Sequence, residues 1–187
     1  FYNNFLEWKN KIKTKLNIEI INDKTTSEEN KLGAIGDINF IINNKKISEP
    51  LLIIGGDNLF DFELTPIIEC FKNKKKDVIS ISEEKNIERL KHLGIVKIDK
   101  NNKIISFEEK PQNPSSELYS NCIYLYTKET LELIKQYIKE KNNPDQPGKF
   151  VQWLYPQKKV YGYKNKGNII DIGTIENLKS ARKQKTL

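Results

Sequence analysis

Apolar residues recur along this chain with two spacings, one typical of strands and one typical of helices. Residues 51–54 form a short apolar run between a proline and a glycine, which predicts a fully buried strand of a parallel sheet. The spacing then predicts a helix over 63–74, a strand over 77–82 and a short helix over 86–93. Alternating strands and helices indicate a parallel sheet with right-handed crossovers.

The pattern changes after residue 93. Residues 94–99 and 103–110 flank an Asn-rich turn, which predicts a β-hairpin. Further strands are predicted over 120–126, 160–163 and 168–172, with helices over 129–141 and 150–154 and a last helix N-capped by Thr174.

The first part of the chain carries a weaker pattern. Phe5, Trp8 and Ile12 have helical spacing, which predicts a helix over 1–15 whose aromatic side faces a core. Residues 16–21 alternate as a strand does. Residues 38–44 read as a helix that follows the small residues of 32–37.

Composition and charge exclude several classes of protein. The 187 residues, 37% hydrophobic and 30% charged, suit one soluble globular domain, and no apolar run is long enough to cross a bilayer. No secretory signal pattern is visible, so a cytoplasmic protein is expected, with Cys70 and Cys122 reduced. His92 is the only histidine, which argues against histidine-based zinc sites and triads.

The chain is basic, with 32 Lys+Arg against 25 Asp+Glu and a net charge of +7. Such a charge could attract nucleic acid, but the lysines are scattered and no basic-aromatic motif accompanies them. Solvated lysine faces are the simpler interpretation, and no nucleic-acid or membrane partner is expected. The absence of methionine suggests that the natural protein is longer than this chain.

Two acids follow apolar strands and are the first candidates for chemistry. Asp57 comes after Gly55-Gly56, at a strand end where open α/β sheets bind ligands, although these residue types also dominate simple turns. Asp171 taken alone is more typical of a turn. Carboxylates from two strands that meet at one sheet edge could hold Mg²⁺ beside a phosphate chain.

Three further residues each allow two interpretations. Lys110 could be a point charge for a phosphate or an exposed hairpin lysine. Glu109 could accept hydrogen bonds from sugar hydroxyls or be solvated. Asn121 could be a hydrogen-bond donor in a pocket or a residue at the end of a strand.

Six short motifs, in order, carry a resemblance to a known family: Leu32-Gly-Ala-Ile-Gly36, Gly55-Gly-Asp-Asn58, Gly94-Ile-Val96, Glu108-Glu-Lys-Pro111, Ser120-Asn-Cys-Ile-Tyr124 and Asp171-Ile-Gly-Thr174. Over nearly its whole length the chain resembles the sugar-1-phosphate nucleotidylyltransferases, the NDP-sugar pyrophosphorylases. It looks closest to the glucose-1-phosphate thymidylyl- and uridylyltransferases. The resemblance implies a three-layer, Rossmann-like α/β fold with a mixed sheet.

The resemblance also implies a role for each matched residue. Asp57 and Asp171 would hold the catalytic Mg²⁺, and Lys110 would contact the sugar phosphate. The remaining substrate contacts implied are Leu32 and Gly33 to the base, Asn58 beside the metal, and Gly94, Glu109 and Asn121 to the sugar. The implied reaction joins a sugar-1-phosphate to the nucleotidyl group of dTTP or UTP and releases pyrophosphate. The expected sugar phosphate is glucose-1-phosphate. A homo-oligomer is possible.

One family feature is missing from these 187 residues. The family's glycine-rich loop, roughly G-x-G-T-R-L-x-P, grips the triphosphate, and no such motif occurs here. We therefore expect a single nucleotidyltransferase-like domain, 1–187, that lacks its first strand and this loop. The loss should leave either an exposed sheet edge or a damaged core, and the chain should not turn over substrate alone. The alternative is a catalytically inactive homologue that binds sugar phosphates or regulates a partner.

Overall fold

The computed structural model describes residues 2–183. The helices are α1 (Tyr2–Lys11), α2 (Ala34–Asn44), α3 (Thr65–Lys74), α4 (Ile87–Leu90), α5 (Lys128–Lys139), α6 (Pro147–Leu154) and α7 (Ile175–Lys183), with a 3-10 turn at Glu28–Asn30. The strands are β1 (Leu51–Ile54), β2 (Asn58–Phe60), β3 (Asp77–Glu83), β4 (Gly94–Ile98), β5 (Ile104–Glu109), β6 (Leu118–Tyr126), β7 (Val160–Lys164) and β8 (Ile169–Asp171). In this part of the chain no helix is both long and apolar enough to span a membrane.

Six strands form one mixed sheet, as the resemblance implied. Their order is β5-β4-β6-β3-β7, and β1 also pairs with β6. Because β3 occupies one edge of β6, strands β1 and β4 lie end to end along its other edge. Among the described residues the β3–β7 pair is the only parallel pair of this sheet, so the parallel sheet predicted from alternating elements is wrong.

Strand β1 forms where it was predicted but in a different setting. It pairs antiparallel with β6. Leu51 and Ile53 lie on its more buried face, whereas Leu52 and Ile54 on the opposite face are 38% and 39% exposed. The prediction of a fully buried parallel strand is therefore wrong. A four-residue apolar run has too few positions to distinguish a strand covered on both faces from one covered on a single face.

Apolar side chains fill both faces of the large sheet and give the expected three layers. One core joins the sheet to α2, α5 and α6, with Ile79, Tyr126 and Phe150 among its members. The other lies under α3, where Ile67 packs with Val78 and Ile123. Burial of alternate residues of the central strands on opposite faces is what the period-2 geometry of a strand produces.

The predictions for the first residues are only partly confirmed. Helix α1 forms, but none of its residues is buried, and Phe5 and Trp8 are 56% and 47% exposed. The aromatic side therefore does not face a core within the described residues. Residues 16–21 form no strand, because no neighbouring strand offers them a ladder of hydrogen bonds.

The hairpin β4–β5 and the strand β6 confirm their predictions, and each carries an irregularity. The β4–β5 register shifts between Lys97 and Ile98. The β3–β6 register shifts between Ile79 and Ile81, and within the opposite stretch Cys122 adopts a left-handed φ of 57°. A bulge of this kind redirects the side chains around it. Cys70 and Cys122 are both free and partly buried, in agreement with their expected reduced state.

Candidate active site

Asp57 and Asp171 converge through a small second sheet that sequence reasoning did not predict. Strand β2 follows Asp57 directly, ahead of the helix predicted from residue 63. It pairs antiparallel with β8 and places Asn58 opposite Asp171. The backbone N–H of Ile172 donates to the carbonyl of Asp57 at 2.7 Å. These pairings fix the turn after β1 against the end of β8.

Both carboxylates face one small space over Gly173. A methyl group added at Gly173 would lie 3.0 Å from Asp171 Oδ1 and 3.3 Å from Asp57 Oδ2. Asp57 Oδ1 accepts a hydrogen bond from Asn58 Nδ2 at 2.8 Å, and Asp171 Oδ1 accepts one from the Gly173 N–H at 2.6 Å. Each side chain is therefore oriented, and each has an oxygen left for a ligand.

The chemistry of this pair fits a hard divalent cation. Among residues 2–183 neither carboxylate forms an ion pair with a basic side chain. No cluster of three or more metal-ligating side chains occurs in the same range. Mg²⁺ commonly takes only one or two protein carboxylates and completes its shell with water and substrate phosphates. Two carboxylates at one point suit that mode of binding.

A cavity of about 270 Å³ opens beside the two acids. Its wall includes four of the predicted site residues, namely Asp57, Asn58, Asn121 and Asp171. Asn121 is only 3% exposed; its Nδ2 donates to Ser82 Oγ at 2.9 Å, and its Oδ1 has no partner among the described residues. A buried amide oxygen without a partner is costly, and a ligand hydroxyl would satisfy it.

The hairpin places Gly94 and Glu109 next to this cavity. Gly94 pairs with Ser120 on one side and with Glu109 on the other. The Glu109 carboxylate occupies the space over Gly94 and over Gly148 in the first turn of α6. A carboxylate is stabilised at such a helix N-terminus.

Burial raises the pKa of Glu109, and the charges of Lys110 and Lys149 oppose that rise only in part. The pKa of the Cys122 thiol is also raised, first by burial and then by the charges of nearby Asp57, Glu109 and Asp171. The charges of all three carboxylates therefore act on Cys122, which lines the cavity.

The raised pKa of Glu109 predicts a pH-dependent effect of Glu109→Gln on stability. The ordinary pKa is 4.5. In the wild-type protein, the stability contributed by protonated Glu109 is fully present below pH 4.5, the pKa of the unfolded chain. It is lost as the pH rises through the higher pKa of the folded state. We expect the melting temperature of Glu109→Gln, relative to wild type, to increase from about pH 4 to about pH 7. A difference that stays constant across thermal melts at these pH values would contradict the shift.

Lys110 lies at the rim of the site, exposed and directly after β5. Its backbone adopts a left-handed φ of 50°, and its N–H donates to the carbonyl of Leu93 at 3.0 Å. Leu93 itself lines the cavity. The backbone is thus fixed at the rim while the ammonium group stays in solvent, so its phosphate contact remains a prediction.

Leu32 and Gly33 lie outside this cavity. Leu32 lines a separate, mainly apolar groove with Phe40, Ile138 and Pro144. Gly33 has a φ of 76°, and a Cβ added there would lie 2.8 Å from the Pro144–Asp145 backbone, so no larger residue would fit. Close backbone packing therefore accounts for this glycine by itself, and its contact with a base remains a prediction.

Sequence reasoning missed four residues around the site. Arg89, His92 and Tyr119 line the cavity, and Gly148 holds the Glu109 carboxylate. Only Gly148 left a signal in the sequence, since a Pro-Gly pair at a helix start leaves room for a close approach.

Comparisons with known proteins identify the family and the fold of the chain. The family model "Nucleotidyl transferase" matches residues 3–186. A glucose-1-phosphate adenylyltransferase of Desulforamulus reducens is 30% identical over 134 residues, which are 68% of this chain and 33% of that protein. The chain thus spans about a third of the length of such curated relatives.

Solved structures of such transferases resemble this chain in fold. One described as a glucose-1-phosphate thymidylyltransferase from Bacillus anthracis in complex with a sucrose has a TM-score of 0.67 at 25% identity, over 81% of this chain and 61% of that one. Apo UDP-glucose pyrophosphorylase matches with a TM-score of 0.69 at 21% identity, over 83% of this chain and 61% of that one, and shows the fold alone. On the family match over residues 3–186, the chain belongs to the nucleotidyl transferase family, as its resemblance to the sugar-1-phosphate members implied.

Proposed function

We propose that the polypeptide containing this chain transfers a nucleotidyl group from a nucleoside triphosphate to a sugar-1-phosphate and releases pyrophosphate. The observation that carries the proposal is the convergence of Asp57 and Asp171 over Gly173, beside a cavity that also contains Asn121. Thymidylyl or uridylyl transfer to glucose-1-phosphate is the specific form we favour, on the resemblance of the six motifs to that branch and on the neighbour described as a glucose-1-phosphate thymidylyltransferase.

The residues of this chain would act by positioning and charge rather than by a covalent intermediate. Asp57 and Asp171 would hold Mg²⁺, which would neutralise phosphate charge. The Glu109 carboxylate and Asn121 Oδ1 would accept hydrogen bonds from sugar hydroxyls, and Lys110 would pair with the sugar phosphate. A phosphate oxygen of the sugar would then attack the α-phosphorus as the bond to pyrophosphate breaks.

The experiment is an assay of pyrophosphate release by the complete gene product that contains this chain. Glucose-1-phosphate is supplied with dTTP, UTP or ATP in separate reactions, each with and without Mg²⁺. Turnover that requires both substrates and the metal supports the proposal, and the preferred triphosphate identifies the base. No turnover with any pair, together with measurable sugar-phosphate binding, would instead favour the inactive, sugar-phosphate-binding homologue.

A further inference from the structure

A second, larger cleft adjoins the candidate active site and is not used by the proposed reaction. It has a volume of about 640 Å³ and shares six lining residues with the smaller cavity, namely Glu84, Arg89, Tyr119, Ile169, Asp171 and Asn177. We call it the distal cleft and define it by residues that line it alone, Ser82, Lys164, Asn165, Asn168 and Ser180. Volumes of this size are typical of small-molecule sites.

Each of the two cations that line the distal cleft is paired with a carboxylate, and Asp171 adds a negative charge that is unpaired among the described residues. Lys164 pairs with Glu83, and Arg89 Nη1 lies 2.9 Å from Glu84 Oε2. Each cation therefore already faces a carboxylate, so this wall offers no net positive charge to a phosphate. Its remaining lining is dominated by amides and hydroxyls, which suit an uncharged polar ligand.

A hydrogen-bonded connection joins the cleft to the proposed sugar site. Ser82 belongs to the distal cleft, and its Oγ accepts the hydrogen bond from Asn121 Nδ2. Asn121 lines the smaller cavity and keeps its buried Oδ1 free of any partner among residues 2–183. Tyr119 borders both spaces, and its half-buried ring gives an apolar face of the kind that sugar rings pack against.

From this juxtaposition we propose that the distal cleft binds a second, uncharged sugar unit. The proposal rests on the proposed function, since the phosphorylated ring would occupy the smaller cavity. The substrate class would then be a sugar-1-phosphate longer than one hexose. Amides, hydroxyls and an aromatic face match the hydroxyls and the apolar ring face of such a unit, and the absence of net positive charge in the cleft lining disfavours a second phosphate.

The test compares glucose-1-phosphate with maltose-1-phosphate by calorimetry on the complete gene product. One or two added neutral hydrogen bonds correspond to about tenfold in affinity, so we expect maltose-1-phosphate to bind about tenfold more tightly. Ser180 is exposed on α7 and lines only the distal cleft. Ser180→Trp should fill the cleft, remove this preference and leave glucose-1-phosphate affinity unchanged.

The matched control is the same substitution at a serine that lines neither cavity. Ser48→Trp, at an exposed serine outside both cavities, should keep the preference for maltose-1-phosphate. Equal affinities in the wild-type protein, or a Ser180→Trp variant that keeps the preference, overturn the distal sugar site alone. No binding of either compound overturns the proposed function together with the inference that rests on it.

Discussion

Asp57→Asn and Asp171→Asn should each lower pyrophosphate release at least about 10²-fold, because each removes one of the two negative charges proposed to hold the Mg²⁺ that neutralises the reacting phosphates. The amide has the same shape as the carboxylate. In Asp171→Asn the amide oxygen can still accept the hydrogen bond that Gly173 N–H now donates at 2.6 Å. A large loss of rate with an unchanged melting temperature would therefore report the missing charge rather than damage to the fold.

The control for both variants is Glu63→Gln, the same chemical change at an exposed residue outside the cavity. It should leave the rate unchanged. Raising the Mg²⁺ concentration should partly restore the rate of either Asp variant, because the variants weaken metal binding. Near-normal rates in one Asp variant at low Mg²⁺ would show that its carboxylate does not hold a metal needed for the reaction.

Gly148→Ala should destabilise the protein and weaken sugar-phosphate binding at the same time. The added methyl group would lie 1.7 Å from Glu109 Oε2 and 2.5 Å from Glu109 Cδ, so the carboxylate has to move. Overpacking of this kind typically costs about 1–3 kcal/mol. Thermal unfolding and calorimetric titration with glucose-1-phosphate measure the two effects separately.

A double-mutant cycle shows whether the contact between the two residues is the cause. Glu109→Ala/Gly148→Ala removes the clash, so the double variant should be more stable than Gly148→Ala alone and still fail to bind sugar phosphate. Gly56→Ala is the matched stability control, because a methyl group there would meet nothing within 4 Å. Strictly additive losses of stability in the double variant would mean that Gly148 and Glu109 act independently.

The sequence predicted correctly those elements that depend on interactions between residues close together in the chain. The hairpin β4–β5 was predicted because alternating residues flank an Asn turn, and Thr174 was predicted as an N-cap. The structure shows its Oγ1 accepting from the N–H of Asn177 at 3.1 Å. Both features depend on neighbours in sequence, where spacing and side-chain chemistry are informative.

Features that depend on distant partners were missed or misjudged. The helical spacing of Phe5 and Trp8 predicts one apolar side but carries no information about what covers it. Strand β2 has only three residues and exists because β8 pairs with it, so its own sequence gives little sign of it. The packing of Glu109 on Gly148 joins segments far apart in sequence, and no periodicity within either segment indicates it.

The arrangement of two strands along one edge of β6 sets the spacing between the two halves of the proposed site. Gly55 N–H donates to the Cys122 carbonyl at 2.9 Å, while Gly94 pairs with Ser120. The distance from the Asp57 turn to the hairpin is thus determined by the few β6 residues between these contacts. Insertion or deletion of one residue there would shift the acidic pair relative to the sugar contacts even if every functional side chain were kept.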